Sequence, residues 1–483
     1  MSASFLHGVE TIEIEKGARP VRTVKTAVIG LVGTAPIFDV DSTNQTVNKL
    51  TLIKNEIDAA KYFGADKSGY TIPQALDGIF DQGAGLVIAI NVFDPTVHKT
   101  TVASTEQTLV AGKSVIPHEG ITNLVVKNQA GDATYVLGTD YTFDSATKTI
   151  QRKTGGAITT DNATVKIGYD YADPTKVVAS DIIGTVDEAG KRTGLKLLKD
   201  SYTEFGYNPK LLLAPAFCTT SSVRAEMEVV AAEIDAYSLV DAPVGTTVDQ
   251  AIAGRGPSGT INFNTSNRRT ILCFPHVKVY NSTTNAEELQ PLSQRLAGVM
   301  AAKDIEKGYH WSPSNSEIKG IIGLERAISF KLKDSNCEAN LLNEAGILTV
   351  INSFGTGFRT WGNRSAAYPA STLPTNFINI GRTADIIDES VEYATLQFID
   401  YPIDNGLIDA ICETVNGFLR TLIGKGALID GKCTFNRAKN PTTEIANGHL
   451  VFSLDYMPPT PAERITYERF IDINMLKNLG GNN

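Results

Sequence analysis

The sequence has few of the residues from which catalytic, metal and redox centres are usually built. Its 483 residues include two tryptophans, six histidines and five cysteines. The cysteines form no Cys-x-x-Cys pair, and the histidines never pair at helical or zinc-finger spacing. No metal ligands, redox pair or cofactor are therefore predicted. Buried structural thiols are expected at Cys218, Cys273, Cys337, Cys412 and Cys433.

The chain also lacks the features that direct a protein to a membrane, to secretion or to nucleic acid. No apolar run approaches the roughly 20 residues that span a bilayer, so membrane insertion is not expected. The amino-terminal residues have no basic region followed by an apolar core, which argues against a secretory signal. A net charge of −9 argues against general binding of nucleic acid.

Motifs for nucleotide binding and for nucleophilic catalysis are incomplete. Gly30 and Gly33 follow an apolar strand, but a third glycine and a Gly-Lys-Ser/Thr sequence are missing. The end of a strand is therefore favoured over a phosphate loop. His310 could act as a general base, yet no Ser or Cys nucleophile motif accompanies it, so a structural histidine is favoured. No catalytic residue is predicted.

Buried strands that alternate with amphipathic helices are the main pattern present. Residues 27–32 and 85–93 are almost continuously apolar, and Asn55 is a candidate cap for a helix that ends near Gly64. Fully apolar strands separated by helices indicate a mixed α/β core whose sheet is covered on both faces. The length of the chain predicts more than one domain.

Residues 95–180 have a different character. They are rich in Thr, Gly, Asp and Val, and short strands are separated by turn signals such as Gly155-Gly156. This spacing predicts a small all-β, sandwich-like domain inserted between strands of the α/β unit. The predicted division is an N-terminal arm (1–24), a discontinuous α/β middle domain (25–94 and 181–352), the insert (95–180) and a C-terminal domain (353–483).

Both ends of the chain carry strand-like segments. Near the N-terminus apolar and polar residues alternate, and residues 464–473 have the pattern of a last, exposed strand. A short apolar strand at a chain end has to pair with something, because an unpaired edge promotes aggregation. The candidate arm residues are Val9, Ile12, Ile14, Ile465, Tyr467, Ile471 and Ile473.

Two features of the C-terminal region allow more than one interpretation. Amphipathic helices are predicted at residues 384–399 and 407–424, and the first has an acidic face. That face, formed by Asp385, Asp388, Glu389 and Glu392, is either solvated or a docking surface for a partner. The loop 361–364 is favoured as a packed junction over a ligand site, because Asn and Arg side chains can satisfy backbone carbonyls and carboxylates.

Two stretches give the chain a resemblance to a known family. The first contains Trp311, Ser312, Pro313, Asn315, Glu317, Ile318 and Lys319, and the second contains Trp361, Gly362, Asn363 and Arg364. Together with Met457-Pro-Pro-x-x-x-Glu463, they resemble the sheath proteins of contractile phage tails and R-type pyocins. We call these two stretches the first and second signatures.

The resemblance implies a structural protein rather than an enzyme. Sheath subunits stack as hexameric rings around an inner tube and contract on a baseplate signal, which drives the tube through the target envelope and leads to genome ejection in phages. The implied partners are further copies of the chain, the inner tail tube protein, and the baseplate and tail terminator proteins. The implied location is the virion tail, assembled in the host bacterial cytoplasm.

The resemblance also assigns roles to parts of the chain. The N- and C-terminal arms would add strands to a small sheet in adjacent subunits, which is β-augmentation. The insert would point outward, and the C-terminal unit, with the N-terminal arm packed against it, would face the tube. Both the acidic face of residues 384–399 and the helix 407–424 are candidates for the tube contact.

Two alternative functions are also compatible with parts of the sequence. An α/β enzyme or nucleotide-binding protein of unknown substrate would need the site motifs that are incomplete here. A surface adhesin built around the β insert would need a secretory signal. The sequence does not distinguish a phage tail from a pyocin-like particle.

Overall fold

An eight-stranded sheet with a parallel centre is the part of the molecule to which the other parts attach. The computed structural model describes residues 21, 23–83, 85–282, 284–353 and 355–479. The candidate arm residues Val9, Ile12 and Ile14 lie outside these ranges.

The described residues form the following strands and helices. The strands are β1 (Ile29–Gly33), β2 (Thr51–Ile53), β3 (Val87–Asn91), β4 (Lys99–Thr108), β5 (Lys113–Val115), β6 (Thr122–Asn128), β7 (Tyr141–Asp144), β8 (Thr149–Arg152), β9 (Thr164–Ala172), β10 (Leu211–Leu213), β11 (Tyr237–Asp241), β12 (Thr270–Cys273), β13 (Val277–Asn281), β14 (Ala286–Gln290), β15 (Gly323–Leu324), β16 (Ile347–Ser353), β17 (Gly357–Trp361), β18 (Asp430–Phe435) and β19 (Phe452–Met457). The α-helices are α1 (Glu56–Phe63), α2 (Ile72–Phe80), α3 (Ala179–Ile183), α4 (Ser201–Phe205), α5 (Ser221–Glu233), α6 (Val248–Ala253), α7 (Leu292–Glu306), α8 (Glu338–Glu344), α9 (Ile378–Thr395), α10 (Asn405–Gly424) and α11 (Thr442–Ala446).

The large sheet has the strand order β17-β16-β12-β11-β10-β1-β3-β2. Its central pairs are parallel, whereas β2 and β17 are antiparallel edge strands. Along β3, Val87 and Ala89 enter the core on one face while Ile88 and Ile90 enter the core on the other. The prediction of a sheet buried on both faces is confirmed, and it explains why these strands are apolar at every position.

Local signals account for the helices on the α1–α2 side. The Asn55 side chain accepts a hydrogen bond from the N–H of Asp58 at 2.9 Å, and Gly64 ends α1 with a positive φ, as the sequence predicts. The α2 helix begins after Thr71, whose hydroxyl accepts from the Thr34 N–H at 3.1 Å instead of capping the helix. None of the helices in the described ranges is long and apolar enough to cross a membrane.

The insert consists of two three-stranded antiparallel sheets between β3 and β10 of the large sheet. One has the order β4-β9-β6 and the other β5-β8-β7. A separate cluster of apolar side chains fills the space between them, with Val126, Ile150 and Ile167 fully buried. The insert therefore has its own small core.

Acidification should loosen the insert before the α/β core. Hydrogen bonds from Lys99, Thr101 and Asn123 hold the pKa of Asp170 in the insert well below its usual value. Such a carboxylate contributes stability above its unfolded pKa of about 4 that is lost as the pH falls through its folded pKa. In the core, burial instead raises the pKa of Asp241, so taking up a proton there does not favour unfolding.

Hydrogen exchange followed from about pH 6 to about pH 2 would measure this difference. Amides of β4, β6 and β9 should lose protection at a higher pH than amides of β10 and β11. An Asp170→Asn variant should show a weaker pH dependence in the insert and an unchanged one in the core. Simultaneous loss of protection in both regions would contradict the prediction.

The C-terminal region is built on two helices and a hairpin. Helices α9 and α10 pack against the β18–β19 pair around Ile387, Val415 and Leu419. Residues 23–26 run beside α9, where the Val24 N–H donates to the Ser390 hydroxyl at 3.3 Å. The predicted domain boundary at 353 falls inside the β16–β17 hairpin, in which Val350 pairs with Thr360. Because β17 belongs to the large sheet, a boundary at 353 would divide that sheet.

The segment that follows β19 is extended and exposed. Residues 458–472 form no strand with any described part of the chain, and a 3-10 turn follows at Ile473–Asn478. Ile465, Tyr467, Ile471 and Ile473 are 68%, 88%, 84% and 74% exposed. The segment 464–473 has no strand partner within the described ranges of one subunit, so its pairing as a strand stays a prediction about neighbouring subunits.

Candidate functional site

The first signature lies along the open edge of β17. The Asn315 N–H donates to the Thr360 carbonyl at 2.7 Å, the Thr360 N–H donates to the Ser316 carbonyl at 2.9 Å, and the Ile318 N–H donates to the Phe358 carbonyl at 3.0 Å. The Arg359 guanidinium donates to the Asn315 side chain and carbonyl at 2.8 and 2.7 Å. The signature therefore closes the edge of the large sheet that β17 would otherwise leave open.

Lys319, at the end of the first signature, ties it to helices α2 and α7. Its N–H donates to the Gln82 side chain, and its carbonyl accepts from Gln82 and from the Arg295 guanidinium, each at 3.0 Å. The Arg295 side chain is fully buried and pairs with Asp81 at 2.7 Å. The Lys319 carbonyl of the signature is thus one of the acceptors that hold this buried cation.

Replacing Gly320 with alanine should destabilise this junction. Gly320 has φ +73°, and a Cβ there would collide with the Asp81 carboxylate and lie 2.6 Å from Arg295 Nη1. We expect a loss of about 2–3 kcal/mol, because backbone strain adds to displacement of the Asp81 carboxylate from the fully buried Arg295 side chain. Urea unfolding would measure it. Gly426→Ala is the matched control, with φ +74° and no atom within 4 Å of the added Cβ. Equal losses in the two variants would contradict the argument.

The second signature joins the end of β17 to Asn343 in α8, the helix that precedes β16. The Asn343 side chain lies between the Ile347 carbonyl, the Trp361 carbonyl and Trp361 Nε1, at 3.0, 3.1 and 3.2 Å. Gly362 has φ +123°, and a Cβ there would collide with Asn343. Trp361 also packs edge-on against Phe330, with ring centroids 5.0 Å apart. The residues after Trp361 therefore leave the sheet along one fixed path.

Asn363 connects this path to α9 and to the first signature. Its amide donates to Asn379 Oδ1 at 2.8 Å, and the Asn379 amide donates to the His310 carbonyl at 2.9 Å. The neighbouring Trp311 is 48% exposed. Both signatures thus meet at the start of α9, and His310 contributes its backbone to the contact.

Arg364 of the second signature contacts several other side chains. Its guanidinium lies over the ring of Phe377, 3.7 Å from the centroid, and Nη1 donates to Asn376 Oδ1 at 2.5 Å. The other two nitrogens donate to the Glu463 carboxylate at 3.0 and 2.5 Å. This fork-to-carboxylate pairing brings the Met457-Pro-Pro-x-x-x-Glu463 motif against the second signature.

Buried ion pairs hold α9 against the middle of the chain. Arg382 pairs with Asp304 of α7 at 2.9 and 2.6 Å, and both side chains are 3% exposed or less. Asp385 accepts from Arg268 and Arg269 at 2.7 and 2.9 Å. We call these contacts, together with a further ion pair from Glu389, the α9 junction.

The predicted acidic face of α9 is therefore wrong for two of its four residues. Asp385 is 5% exposed, and Glu389 is 6% exposed with its carboxylate 2.5 Å from Lys210 Nζ. Their charges are neutralised within the subunit, so neither can be a solvated or tube-facing group. Asp388 and Glu392 lie on the exposed side, and Asp388 accepts from the Tyr456 hydroxyl at 3.0 Å.

The glycines of the incomplete nucleotide motif are explained by packing. A Cβ on Gly30 would lie 3.0 Å from Leu212 and 3.1 Å from Pro209, and one on Gly33 would collide with the Thr71 hydroxyl. These contacts favour the strand-end interpretation. Across the described ranges no three His, Cys, Asp or Glu side chains are placed to hold a metal ion, and the five cysteines are unpaired.

The β18–β19 hairpin offers backbone groups for further pairing. Its six residue pairs run from Asp430↔Met457 to Phe435↔Phe452. Within the part of the chain that the structure describes, no third strand pairs with either edge. On the β18 side, the Cys433 N–H donates to the Asn416 side chain at 2.7 Å and the Cys433 carbonyl accepts from it at 3.0 Å. The β19 edge and the exposed segment after it are therefore the features that a single subunit leaves without a strand partner among the described residues.

Family models and known proteins are similar to this chain over most of its length. The models for the phage tail sheath protein central domain and C-terminal domain match residues 190–366 and 371–471. The tail sheath protein of Burkholderia phage BcepMu is 51% identical over 100% of both chains. The tail sheath protein of Escherichia phage P2 is 27% identical over 99% of this chain and 98% of its own.

Solved structures show the same fold. The PVC sheath of an extracellular contractile injection system in its contracted state aligns with a TM-score of 0.60 at 12% identity, covering 98% of this chain and 100% of that one. The helical sheath of the anti-feeding prophage, also contracted, aligns at 0.59 and 16% identity over 97% and 100%. The chain belongs to the phage tail sheath family, whose members are structural proteins and not enzymes.

Proposed function

We propose that this chain polymerises as stacked hexameric rings around an inner tail tube and contracts to drive that tube through a target envelope. The subunits are held together by exchange of their terminal arms. The observation that carries the proposal is the combination of an exposed apolar C-terminal segment with a two-stranded hairpin to which no third strand pairs within the described residues.

The two unsatisfied features complement each other. An extended segment can add as a strand to an open edge, where main-chain hydrogen bonds supply affinity and alternate side chains enter pockets. Ile465, Tyr467, Ile471 and Ile473 would supply those side chains, with Val9, Ile12 and Ile14 doing the same from the other arm. Each hydrogen bond contributes about 0.5–1.5 kcal/mol, and several form along a strand.

Arm exchange suits an assembly that changes shape. A strand that stays paired in a neighbour's hairpin keeps the subunits connected while their bodies move. The contacts are head-to-tail, as a helical polymer requires. The energy for contraction would come from a metastable extended state that relaxes to a better-packed one, without a nucleotide.

The same reasoning assigns parts of the chain to positions in the tail. The insert, which has its own core, would point outward. The C-terminal unit would begin between residues 361 and 378, and it would face the tube. Because the α9 junction occupies much of α9, we favour α10 for the tube contact, with Asp409, Glu413 and Arg420 on its exposed side.

The partners follow from this arrangement. We propose that the chain binds itself, the inner tail tube protein, and the baseplate and tail terminator proteins, and that it assembles in the host cytoplasm before becoming part of the virion tail. A related solved structure is of an anti-feeding prophage baseplate, and it aligns with this chain at a TM-score of 0.60 and 13% identity. Neither nucleic acid nor a membrane is needed for the arm exchange.

Negative-stain electron microscopy of the purified protein at high concentration tests the proposal. Hollow, striated tubes wider than a tail tube are the expected result. If only small particles form, the measurement is repeated with the tube and baseplate proteins as template. Failure to polymerise in both conditions would overturn the proposal.

A further inference from the structure

The arm leaves the subunit at a single well-packed contact. Arg364 is stacked on Phe377 and lies 4.6 Å from the centroid of Tyr368, and its side chain is only 16% exposed. Asn376 accepts from one of its nitrogens, so the guanidinium is held in place independently of Glu463. The fork that faces Glu463 is therefore fixed before the carboxylate binds.

Beyond Glu463 the segment makes no comparable contact. Among residues 464–479, the hydrogen bonds that the structure places stay within the segment, such as the one from the Asn474 N–H to Asp472 Oδ1 at 2.8 Å. The ion pair of Arg364 with Glu463 is the last one along the described chain. Glu463 is therefore the last residue that the described body of the subunit holds.

We propose that Arg364 is the anchor of the C-terminal arm. By holding Glu463, it sets the point and direction from which the arm reaches its neighbour. This inference rests on the proposed arm exchange, and it adds a positioning role for one residue of the second signature. The 20 residues after Glu463 can extend over at most about 65–70 Å, so the position of their starting point decides which hairpin they reach.

The anchor should raise the effective concentration of the arm at the hairpin of the next subunit. A strand tethered at a fixed point meets the hairpin of the next subunit more often than one tethered further back on a loose loop. Releasing Glu463 would move the pivot towards Pro458, which lengthens the free arm without changing its sequence. The arm would keep its affinity for the hairpin, but its effective concentration at the neighbour's hairpin would fall.

Nitroxide labels on the monomer test the anchor without assembly. A label at Ala462, next to Glu463, should be restrained in the unsubstituted protein, and a label at Tyr467, beyond the anchor, should be mobile. In Glu463→Gln, the label at Ala462 should become as mobile as the one at Tyr467, which should not change. An Ala462 label with equal mobility in both proteins would overturn the proposal.

A double-mutant comparison separates positioning from a general effect on folding. Arg364→Lys keeps the charge but loses the fork and the stacking, so it should release the Ala462 label only in part. The combination of Arg364→Met with Glu463→Gln should release the label no further than Glu463→Gln alone, because the two residues act as a unit. Additive effects would contradict the anchor.

Assembly then links the anchor to function. Glu463→Gln should raise the concentration needed for tube formation about fivefold, whereas a chain that ends after Glu463 should form no tubes. An unchanged concentration for Glu463→Gln would overturn the anchor while leaving arm exchange intact. Tubes formed by the shortened chain would overturn arm exchange, and the label measurements would still decide the anchor on the monomer.

Discussion

A chain that ends after Glu463 should remain folded and lose the ability to form tubes. The removed residues from 464 onward are exposed wherever the structure describes them, and their hydrogen bonds stay within the segment. Folding stability should therefore be unchanged. Assembly should fail because each neighbour loses the strand that would pair with its β18–β19 hairpin.

Two measurements on the shortened chain check this expectation. Thermal unfolding should give the midpoint of the full chain, and electron microscopy should show no tubes at concentrations well above those at which the full chain assembles. A chain that ends after Leu479 is the matched control, since it keeps Ile465, Tyr467, Ile471 and Ile473. Normal tubes from the chain that ends after Glu463 would mean that this arm does not join the subunits.

Replacing Arg382 with methionine should cost about 3–5 kcal/mol of folding stability, because it leaves the Asp304 carboxylate buried without its partner. Both side chains of this pair are 3% exposed or less. Burial already raises the pKa of Asp304, against the opposing effect of Arg382, so loss of the cation should raise it further. The α9 junction should loosen first, since Arg382 is one of its cations.

Urea unfolding with a matched exposed pair measures this cost. Arg420→Met removes the same charge from a pair with Glu413, where the two side chains are 64% and 73% exposed, and should have little effect. Adding Asp304→Leu to Arg382→Met should recover part of the lost stability, because no buried charge is then left alone. A loss of less than about 1 kcal/mol for Arg382→Met would contradict the prediction.

The sheet was predictable because its information is local. Strands β1, β3 and β10 are each short apolar runs bounded by turns, and burial on both faces requires this pattern. The β16–β17 hairpin was harder to place. Its strands pair from Thr349↔Trp361 to Ser353↔Gly357, so the predicted boundary at 353 falls at the turn of a hairpin whose pairing the local sequence pattern does not show.

The acidic side of α9 shows what a single helix cannot reveal. Spacing places Asp385 and Glu389 on one face, but it does not say what that face meets. The cations that neutralise them, Arg268, Arg269 and Lys210, are distant in the sequence; Arg268 precedes Asp385 by 117 residues. A charged residue on an otherwise amphipathic helix is usually interpreted as exposed, because burial without a partner is costly.

The sequence shows the two signatures as patterns of residues but does not show their physical role. The glycines Gly320 and Gly362 could be suspected of unusual backbone conformations from residue type alone. That the first signature covers the edge of β17, and that Arg364 holds Glu463, depends on contacts between segments far apart in the chain. No local periodicity encodes such contacts.

The open hairpin has a consequence for the length and the ends of any polymer. If each copy receives its neighbour's arm and gives its own arm onward, every such chain of copies has a direction. One end always presents hairpins with nothing to accept, and the other presents arms with nowhere to go. The two ends are thus chemically different, and each needs a different protein to cover it. A particle of defined length requires both caps, because arm exchange by itself does not limit the number of copies that add.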